Sequence, residues 1–440
     1  MKVAYLFAER NHPLLGQAGA SVHVLELCNA FAALGHDVDI LAAVKGDATA
    51  APRGVWVHEL LGRRSVMARA AARLRRDGSS RMPRSAQSRP PRITSSPTVV
   101  AADVLRVASA AIMSEVLYRR SLRVLRSRRP DVIYERHVRF SPVGVRLARA
   151  LEVPLAVEAN TSFTFPSEWW QDHSPLAAAL STWLERRIVA RADAVFAVSK
   201  VLHDHWRGLA ADPTKIVLLP NAADTDRLRP DPKAAAAIRE RLGIGDEIVI
   251  GFIGSMRPWH GADLMLRAGA LVAARAAGVR LLLVGDGPMR EELEALAEEL
   301  GISSRAVFTG HVPMRDVRAY IAAMDIAAAP YPALPDFHFS PLKLFECMAV
   351  GKPVVASAFP DIRAVVSDGA NGILVEPGDV PALANALFRL IRDDDLRLQL
   401  GRAARETIVT QHTWRTNADA ILRRVGATSP STHAGSGGTA

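Results

Sequence analysis

The stretch Phe337 to Ser357, FHFSPLKLFECMAVGKPVVAS, decides the fold. It reads as loop, helix, turn and buried strand in quick succession. Ser340 is a residue type that caps helix starts and Pro341 suits a first helical position, so the spacing predicts a helix beginning there. Gly351-Lys352-Pro353 ends it. Val354, Val355 and Ala356 form the short apolar run expected of a parallel strand covered on both faces. Leu342, Phe345 and Ala349 share one helix face, and Lys343 and Glu346, three apart, share the neighbouring one.

A helix start offers unpaired N–H groups and partial positive charge, which together attract a phosphate. Lys343 adds a cation there, and Glu346, one turn deeper, can accept two hydrogen bonds from a diol such as a ribose. The arrangement suits a nucleotide diphosphate. The competing reading is a solvated Lys–Glu pair worth roughly a few tenths of a kcal/mol. Two features weigh against it. Lysines are scarce (Lys2, Lys45, Lys200, Lys215, Lys233, Lys343 and Lys352), positive charge being otherwise written as Arg. A Lys in a first turn also sits at the unfavourable end of the helix dipole unless an anion offsets it.

Working outward, strands and helices alternate on both sides of this stretch. Upstream come strands at 248–253, 279–284, 307–309 and 326–329, with loops GSMRPWHG after the first and GDGP after the second. Asp224 to Lys233, holding Pro230 and Pro232, reads as a linker. Before it lie strands at 3–7, 38–42, 131–134, 155–158, 194–198 and 216–219. A loop over 11–21 with Pro13, Gly16 and Gly19 follows the first strand, at the edge where doubly wound folds bind ligands. It lacks the GxGxxG dinucleotide pattern. The alternation implies an α/β protein of two doubly wound domains facing across a cleft. Glu158, Asn160 and His137 fall at or just past strand ends, in position for chemistry.

The length of 440 residues and 49% apolar content fit two α/β domains rather than one core. Two cysteines, Cys28 and Cys347, give no disulfide framework and no metal spacing, which suits a reducing, cytoplasmic compartment. The amino-terminal residues read as a strand rather than a signal peptide, and no run approaches the length of a membrane span. Asp37-Val38-Asp39 spells a DxD metal motif but reads as solvent-facing sequence at a strand entry, and His203 and His205 read as surface histidines. No metal is expected.

Net charge is +10, which points to an anionic partner unless the Arg usage is a genomic composition bias. The excess gathers in a basic insertion at about 63–129. Residues 63–97, rich in Arg, Ser and Pro, read as a mobile loop. A helix over 101–126 follows, with Leu105, Ala108, Ile112 and Val116 on one side, then Arg119, Arg120, Arg123, Arg126, Arg128 and Arg129. This stretch reads as a docking patch for an anionic membrane surface or acceptor phosphates, or as a merely solvated insertion. It lacks the interleaved aromatics of single-stranded nucleic-acid binding, so no nucleic-acid partner is expected.

Taken in order, the Gly19-Ala20 loop, GHDVDI, FAVSKVL, IVLLPNAADTDRLRP, GFIGSMRPWHG, LLLVGDGP, VFTGHVP and SPLKLFECMAVGKPVVAS resemble glycosyltransferase family 4, the retaining "group 1" enzymes of GT-B fold, over nearly all of residues 1–425. The resemblance implies two Rossmann-like domains: an acceptor-side domain over 1–224 and a nucleotide-sugar-binding domain over 225–408. A helix over 409–425 would pack back on the first, before a disordered tail at 426–440. The donor would be a UDP- or GDP-sugar, with no cofactor required. The acceptor would be a glycan, a glycolipid or a small molecule, and the enzyme cytoplasmic, free or peripheral to a membrane.

The same resemblance assigns roles by position. Glu346 matches the second acid of the family's Glu-x7-Glu motif, and would hold the ribose hydroxyls. His338 stands where the first acid belongs, a departure that leaves it to hydrogen-bond the transferred sugar. Ser255 and His260 stand where the family has Arg and Lys, so Arg257 and Lys343 would supply the diphosphate charge. Pro341 and Leu342 open the donor helix, Gly285 and Gly287 would lie near the nucleotide, and the backbone at His311 and Val312 near the base. Gly19 and Ala20 would let the first-domain loop approach the diphosphate. Asn160 lies where the family carries a His, leaving Glu158 and His137 as alternative acceptor bases. A front-face mechanism needs no protein nucleophile, and charge stabilisation of the leaving group would dominate. Transfer to a soluble metabolite and a catalytically silent binding subunit are the alternatives.

Overall fold

The computed structural model describes residues 1–10, 12–16, 19–46, 54–62, 97–164, 174–335 and 337–426. The chain divides into two compact units, one of Met1–Leu219 with Ala418–Ala440 and one of Pro220–Asn417. The chain thus passes from one to the other at 219/220 and returns inside its last described helix, where the sequence had placed the boundaries near 224 and 408. The 224–233 stretch read as a linker belongs to the second unit.

The first unit runs β1 (Lys2–Phe7), α1 (Gly19–Ala33), β2 (Asp37–Ala42), β3 (Val55–Glu59), α2 (Pro97–Arg128), β4 (Val132–Arg136), α3 (Val143–Leu151), β5 (Leu155–Ala159), α4 (Pro175–Arg191), β6 (Ala194–Ala197), α5 (Lys200–Leu209) and β7 (Ile216–Leu218). Its seven strands pair in parallel in the order β3-β2-β1-β4-β5-β6-β7. β4, β5 and β6 are buried at every residue, because helices cover both faces. The order reverses between β1 and β4, and the crevice at the carboxyl ends of such strands is where doubly wound sheets hold ligands.

The second unit repeats the plan. It comprises α6 (Pro232–Arg241), β8 (Ile248–Ile253), α7 (Ala262–Ala273), β9 (Val279–Val284), α8 (Arg290–Glu299), β10 (Ala306–Phe308), α9 (Val317–Ala323), β11 (Ile326–Ala329), α10 (Leu342–Ala349), β12 (Val354–Ser357), α11 (Pro360–Arg363), β13 (Ile373–Val375), α12 (Val380–Arg392), α13 (Asp394–Gln411) and α14 (Trp414–Gly426), the last of which ends in the first unit. Its parallel order is β10-β9-β8-β11-β12-β13, so the reversal falls between β8 and β11. Both units are therefore doubly wound parallel α/β folds, as the alternation of strands and helices predicts.

Several local expectations are corrected. Helix α1 already begins at Gly19, so Gly19 and Ala20 form its first turn rather than a loop. The edge strand β3 went unread, because its alternating VWVHE gives no continuous apolar run. Asp39 is not solvent-facing: it is 2% exposed, with His58 Nε2 at 2.7 Å and Arg128 Nε donating to both its oxygens at 2.8 and 2.9 Å. Both oxygens of this carboxylate are thus taken up by a histidine and an arginine within the fold. Among the described residues no group of three or more His, Cys, Asp or Glu can hold a metal ion. His205 is half-buried and hydrogen-bonded with Ser162 and Thr164 at 2.8 and 2.9 Å.

Helix α2 turns the side that carries Leu105, Ala108 and Ile112 outward. Met113, Leu117 and Leu125 are buried, whereas Leu105 and Ile112 are 71% and 54% exposed and Ala108 is exposed with them. The Arg run, which falls in its carboxyl-terminal turns, is partly structural: Arg128 is spent on Asp39, and Arg120 donates to the Leu60 carbonyl. Residues 63–96 of the basic insertion, and the tail beyond 426, lie outside the described residues. Among those described, no helix is long and apolar enough to cross a membrane.

Candidate functional site

The reversal between β8 and β11 gathers three loops. The first, after β8, carries Gly254, Ser255, Arg257 and His260 through a short 3₁₀ turn at Pro258–His260. The second, after β9, carries Gly285 and Gly287. The third joins β11 to α10 and carries Tyr331 and His338. Gly285 has φ +133°, and a Cβ there would stand 2.1 Å from the Gly254 carbonyl oxygen. A Cβ on Gly287 would meet Met256 backbone at 2.5 Å. These two glycines let the first two loops close on each other, with Met256 N–H donating to the Asp286 carbonyl at 2.9 Å. The sequence assigned them to nucleotide contact; the packing gives them a second, local reason.

Helix α10 starts one residue later than the sequence implies. Pro341 is its N-cap, and no side chain caps it. Ser340 is turned elsewhere: its Oγ accepts the Asn221 backbone N–H at 2.9 Å, and its carbonyl accepts Asn221 Nδ2 at 2.6 Å. The first turn of α10 is thus fixed from behind by the segment that opens this unit. Asn221 is a residue whose role the sequence did not reveal, although it lies in the quoted PNAADTD stretch.

Lys343 projects from this first turn. Its Nζ is buried and has no hydrogen-bond partner among the described residues. It lies 4.2 Å from the Phe252 ring centroid and 4.7 Å from that of Tyr331. A Cβ built on Gly254 would come within 3.9 Å of it. The side chain as a whole is only half-buried, so it is the amine tip that has lost water. Loss of that water pulls its pKa from 10.5 to about 7, against a small raising effect of Cys347. An unpaired buried amine is costly unless an anion completes it.

His260 lies beside it. Its Nδ1 is 2.6 Å from the Ser255 carbonyl oxygen, which fixes the proton on Nδ1 and leaves Nε2 as the bare nitrogen. Burial first, then the Lys343 charge, drive its pKa down to about 3, so it is neutral. The neutral ring removes a second cation from a crowded site. Arg257 is exposed and lies over the Trp259 ring, 5.3 Å from its centroid. Glu346 keeps 9% of its surface and is already engaged within the fold. His338 is 5% exposed, its ring tilted against that of Phe339 with centroids 4.4 Å apart. Val312 is 9% exposed.

In the first unit, the carboxyl edge holds a buried charge cluster. Glu158 receives the Tyr5 hydroxyl at 2.9 Å, Arg136 Nη1 at 2.5 Å and the Asn160 amide, with His23 Nε2 at 2.9 Å. Burial alone would raise its pKa, but the charges of His23 and Arg136 and the Tyr5 hydrogen bond overcome this and hold it at about 2. Such a carboxylate is an anchor, not the proton acceptor the sequence offered as an alternative. His137 is also enclosed: its Nε2 is 3.3 Å from Glu185, and its ring packs on Phe163 and Trp206. Asn160, held by Glu158, is the half-exposed member of the three. Gly19 and Ala20 lie at the start of α1 on the same sheet edge.

Two doubly wound units, with loops after β8, β9 and β11 converging on a partnerless amine, define a class that comparison identifies. Residues 18–222 match the family described as "Glycosyl transferase 4-like domain". Residues 247–393 match "Glycosyl transferases group 1". The chain belongs to the group 1 glycosyltransferases. It is 30% identical over 293 residues to a GDP-mannose-dependent alpha-(1-6)-phosphatidylinositol monomannoside mannosyltransferase of Mycolicibacterium smegmatis, covering 66% of this chain and 77% of the relative. It is 29% identical to the D-inositol 3-phosphate glycosyltransferase of Corynebacterium jeikeium, covering 69% of this chain and 74% of that one. Among solved structures it resembles the Anabaena protein HepE in complex with UDP and glucose, with a TM-score of 0.66 at 20% identity, over 97% of this chain and all of that one. That likeness speaks to the GT-B fold alone.

Proposed function

We propose that this glycosyltransferase moves a sugar, with retention of configuration, from a UDP- or GDP-sugar to an acceptor hydroxyl in the assembly of a cell-surface glycan or glycolipid. The observation that carries this reading is the buried, partnerless amine of Lys343 in the first turn of α10, at the strand-order reversal of the second unit. A diphosphate oxygen supplies the acceptor that the fold withholds, and the uncapped helix start adds N–H groups and partial charge. Lys343 would then stabilise the charge that develops on the leaving diphosphate, with exposed Arg257 as a second cation. His260 offers a bare Nε2 to a donor hydroxyl or phosphate proton. Glu346 would read the ribose, His338 the transferred sugar, Val312 the base, and Asn160 the acceptor side. No protein nucleophile or metal is called on.

The test is direct. Lys343→Ala should lower transfer and weaken binding of GDP and UDP in calorimetry by at least about tenfold, the scale of one charge-assisted hydrogen bond. Wild-type turnover in that variant would remove the diphosphate role. Nucleotide binding without transfer or hydrolysis on any acceptor would instead mark a silent binding subunit.

A membrane-borne acceptor has its own support. The outer face of α2 shows Val104, Leu105 and Ile112, followed along the helix by exposed Arg119, Arg123 and Arg126. Helix α4 repeats the pattern with Leu176 and Trp183, then Arg186 and Arg187. The two are tied where Ser174 N–H donates to Asp103 at 2.7 Å. Apolar surface beside Arg suits an anionic bilayer interface. Leu105→Glu with Ile112→Glu should abolish flotation with phosphatidylglycerol vesicles. Full activity on a soluble inositol phosphate, with no vesicle binding by the wild type, would favour the small-molecule alternative.

A further inference from the structure

Lys343 is set apart by what surrounds its amine. Most buried ammonium groups meet a carboxylate or a carbonyl, whereas this one meets two ring faces. Phe252 is the penultimate residue of β8, wholly buried, and Tyr331 follows β11 and is 1% exposed. Their strands are neighbours at the order reversal, so the topology itself brings the two rings to one amine. Tyr331 is locked in turn by Ser357, which accepts its N–H at 2.7 Å and donates to its carbonyl at 2.9 Å. Phe337 packs edge-on against the Tyr331 ring at 5.0 Å. The cradle is thus held by contacts within the fold itself.

We propose that Phe252 and Tyr331 are positioning residues for transfer: their ring faces hold the Lys343 amine protonated, and aimed at the diphosphate position, while the site waits for donor. This rests on the reading of Lys343 given above. An aromatic face attracts a cation but forms no hydrogen bond that a phosphate would have to break. A carboxylate in the same place would hold the amine more firmly, and would then compete with the donor. The rings therefore offset part of the cost of keeping a charge out of water without spending the amine's donors.

The other ionisable groups around the amine do not provide this. His260, from the loop after β8, is neutral, and Arg257 on the same loop is a like charge. Burial keeps the Tyr331 hydroxyl and the Cys347 thiol protonated, the latter with a pKa of about 12. Glu346, on the same helix, makes no hydrogen bond to the amine and is not among the groups that shift it. Burial and Cys347 are the influences that set the amine's pKa near 7, and Cys347 raises it. The rings act alongside these at 4.2 and 4.7 Å.

The experiment is calorimetric binding of GDP and UDP from pH 5.5 to 9 to the full chain and its variants. Titration of the ligand's own phosphate is common to all of them and cancels in comparison. Wild-type affinity should fall about tenfold per unit above the amine's pKa. Lys343→Met should bind weakly, without that limb. Replacing Phe252 by trifluorophenylalanine keeps the ring's size and removes the negative potential of its face. It should move the limb to lower pH by roughly half a unit to one unit, leaving affinity at pH 5.5 within about twofold. Tyr331→Leu should move it likewise, and Tyr331→Phe should restore it. An unmoved limb in the fluorinated and Tyr331→Leu proteins overturns the positioning role even though Lys343→Met has lost binding. Wild-type binding by Lys343→Met overturns the diphosphate reading itself.

Discussion

Asn221 and Ser340, 119 positions apart, are joined by two hydrogen bonds: Asn221 N–H to Ser340 Oγ at 2.9 Å, and Asn221 Nδ2 to the Ser340 carbonyl at 2.6 Å. Asn221 lies two residues past the passage between the units, and Ser340 two residues before α10. The pair ties the start of the donor helix to the first residues of its unit.

Asn221→Ala should therefore destabilise the second unit by about 0.5–1.5 kcal/mol, since it removes the side-chain donor to the half-buried Ser340 carbonyl. It should also raise the donor KM more than it lowers kcat, because the first turn of α10 is loosened while Lys343 is retained. Chemical denaturation and steady-state kinetics measure the two. An unchanged KM would mean that the tie is structural only.

Lys343→Met should stabilise the free protein at pH 7 while weakening nucleotide binding. The amine's pKa is about 7 in the folded protein, against 10.5 for a lysine in the unfolded chain. Between those values the unfolded chain binds more protons, so stability rises with pH from about 7 to 10.5 and is lowest below 7. Removing the amine removes that slope. Melting curves of the two proteins at pH 6, 8 and 10 should converge as pH rises; parallel curves would show that the amine is not desolvated.

Glu135 runs the other way. It is buried, accepts the Gly144 N–H at 3.2 Å, and has a second oxygen, Oε2, with no partner among the described residues. Burial lifts its pKa from 4.5 to about 8. The folded state then binds the extra proton between these values, so stability from this group falls as pH rises from about 4.5 to 8. Glu135→Gln should flatten that fall and leave the variant the more stable protein above pH 8. A variant that is less stable at pH 9 would contradict the raised pKa.

Gly285→Ala should cost roughly 1–3 kcal/mol, the scale of a residue forced into a sparsely populated backbone region. Its φ of +133° and the 2.1 Å approach to Gly254 oxygen leave no room for a methyl group. Because the loops after β8 and β9 must part to admit it, GDP and UDP binding should weaken as well. A melting temperature and affinity equal to wild type would show that the loops are not held by this contact.

Much of this molecule was legible in the sequence. The strands at 248–253, 279–284 and 326–329 were read to the residue, because a strand buried on both faces is written as an unbroken apolar run. Lys343 stood out because Lys is rare here and misplaced for a helix dipole. Which side of α2 meets the core was left open by the sequence: Leu105 and Ile112 are apolar yet face outward, and periodicity alone does not choose between two apolar faces.

What the order of residues determined by itself was two doubly wound units and a cation at a helix start, since hydrophobic period, glycine placement and residue type are local properties. What only the tertiary structure decided was the state of that cation. The ring faces of Phe252 and Tyr331 flank it, and burial of its tip lowers its pKa to about 7. Likewise, only the folded chain shows that Glu158 is a four-fold anchor and Asp39 the partner of an arginine 89 positions away. Desolvation and pairing are set by what comes together in space, and the sequence does not record that distance.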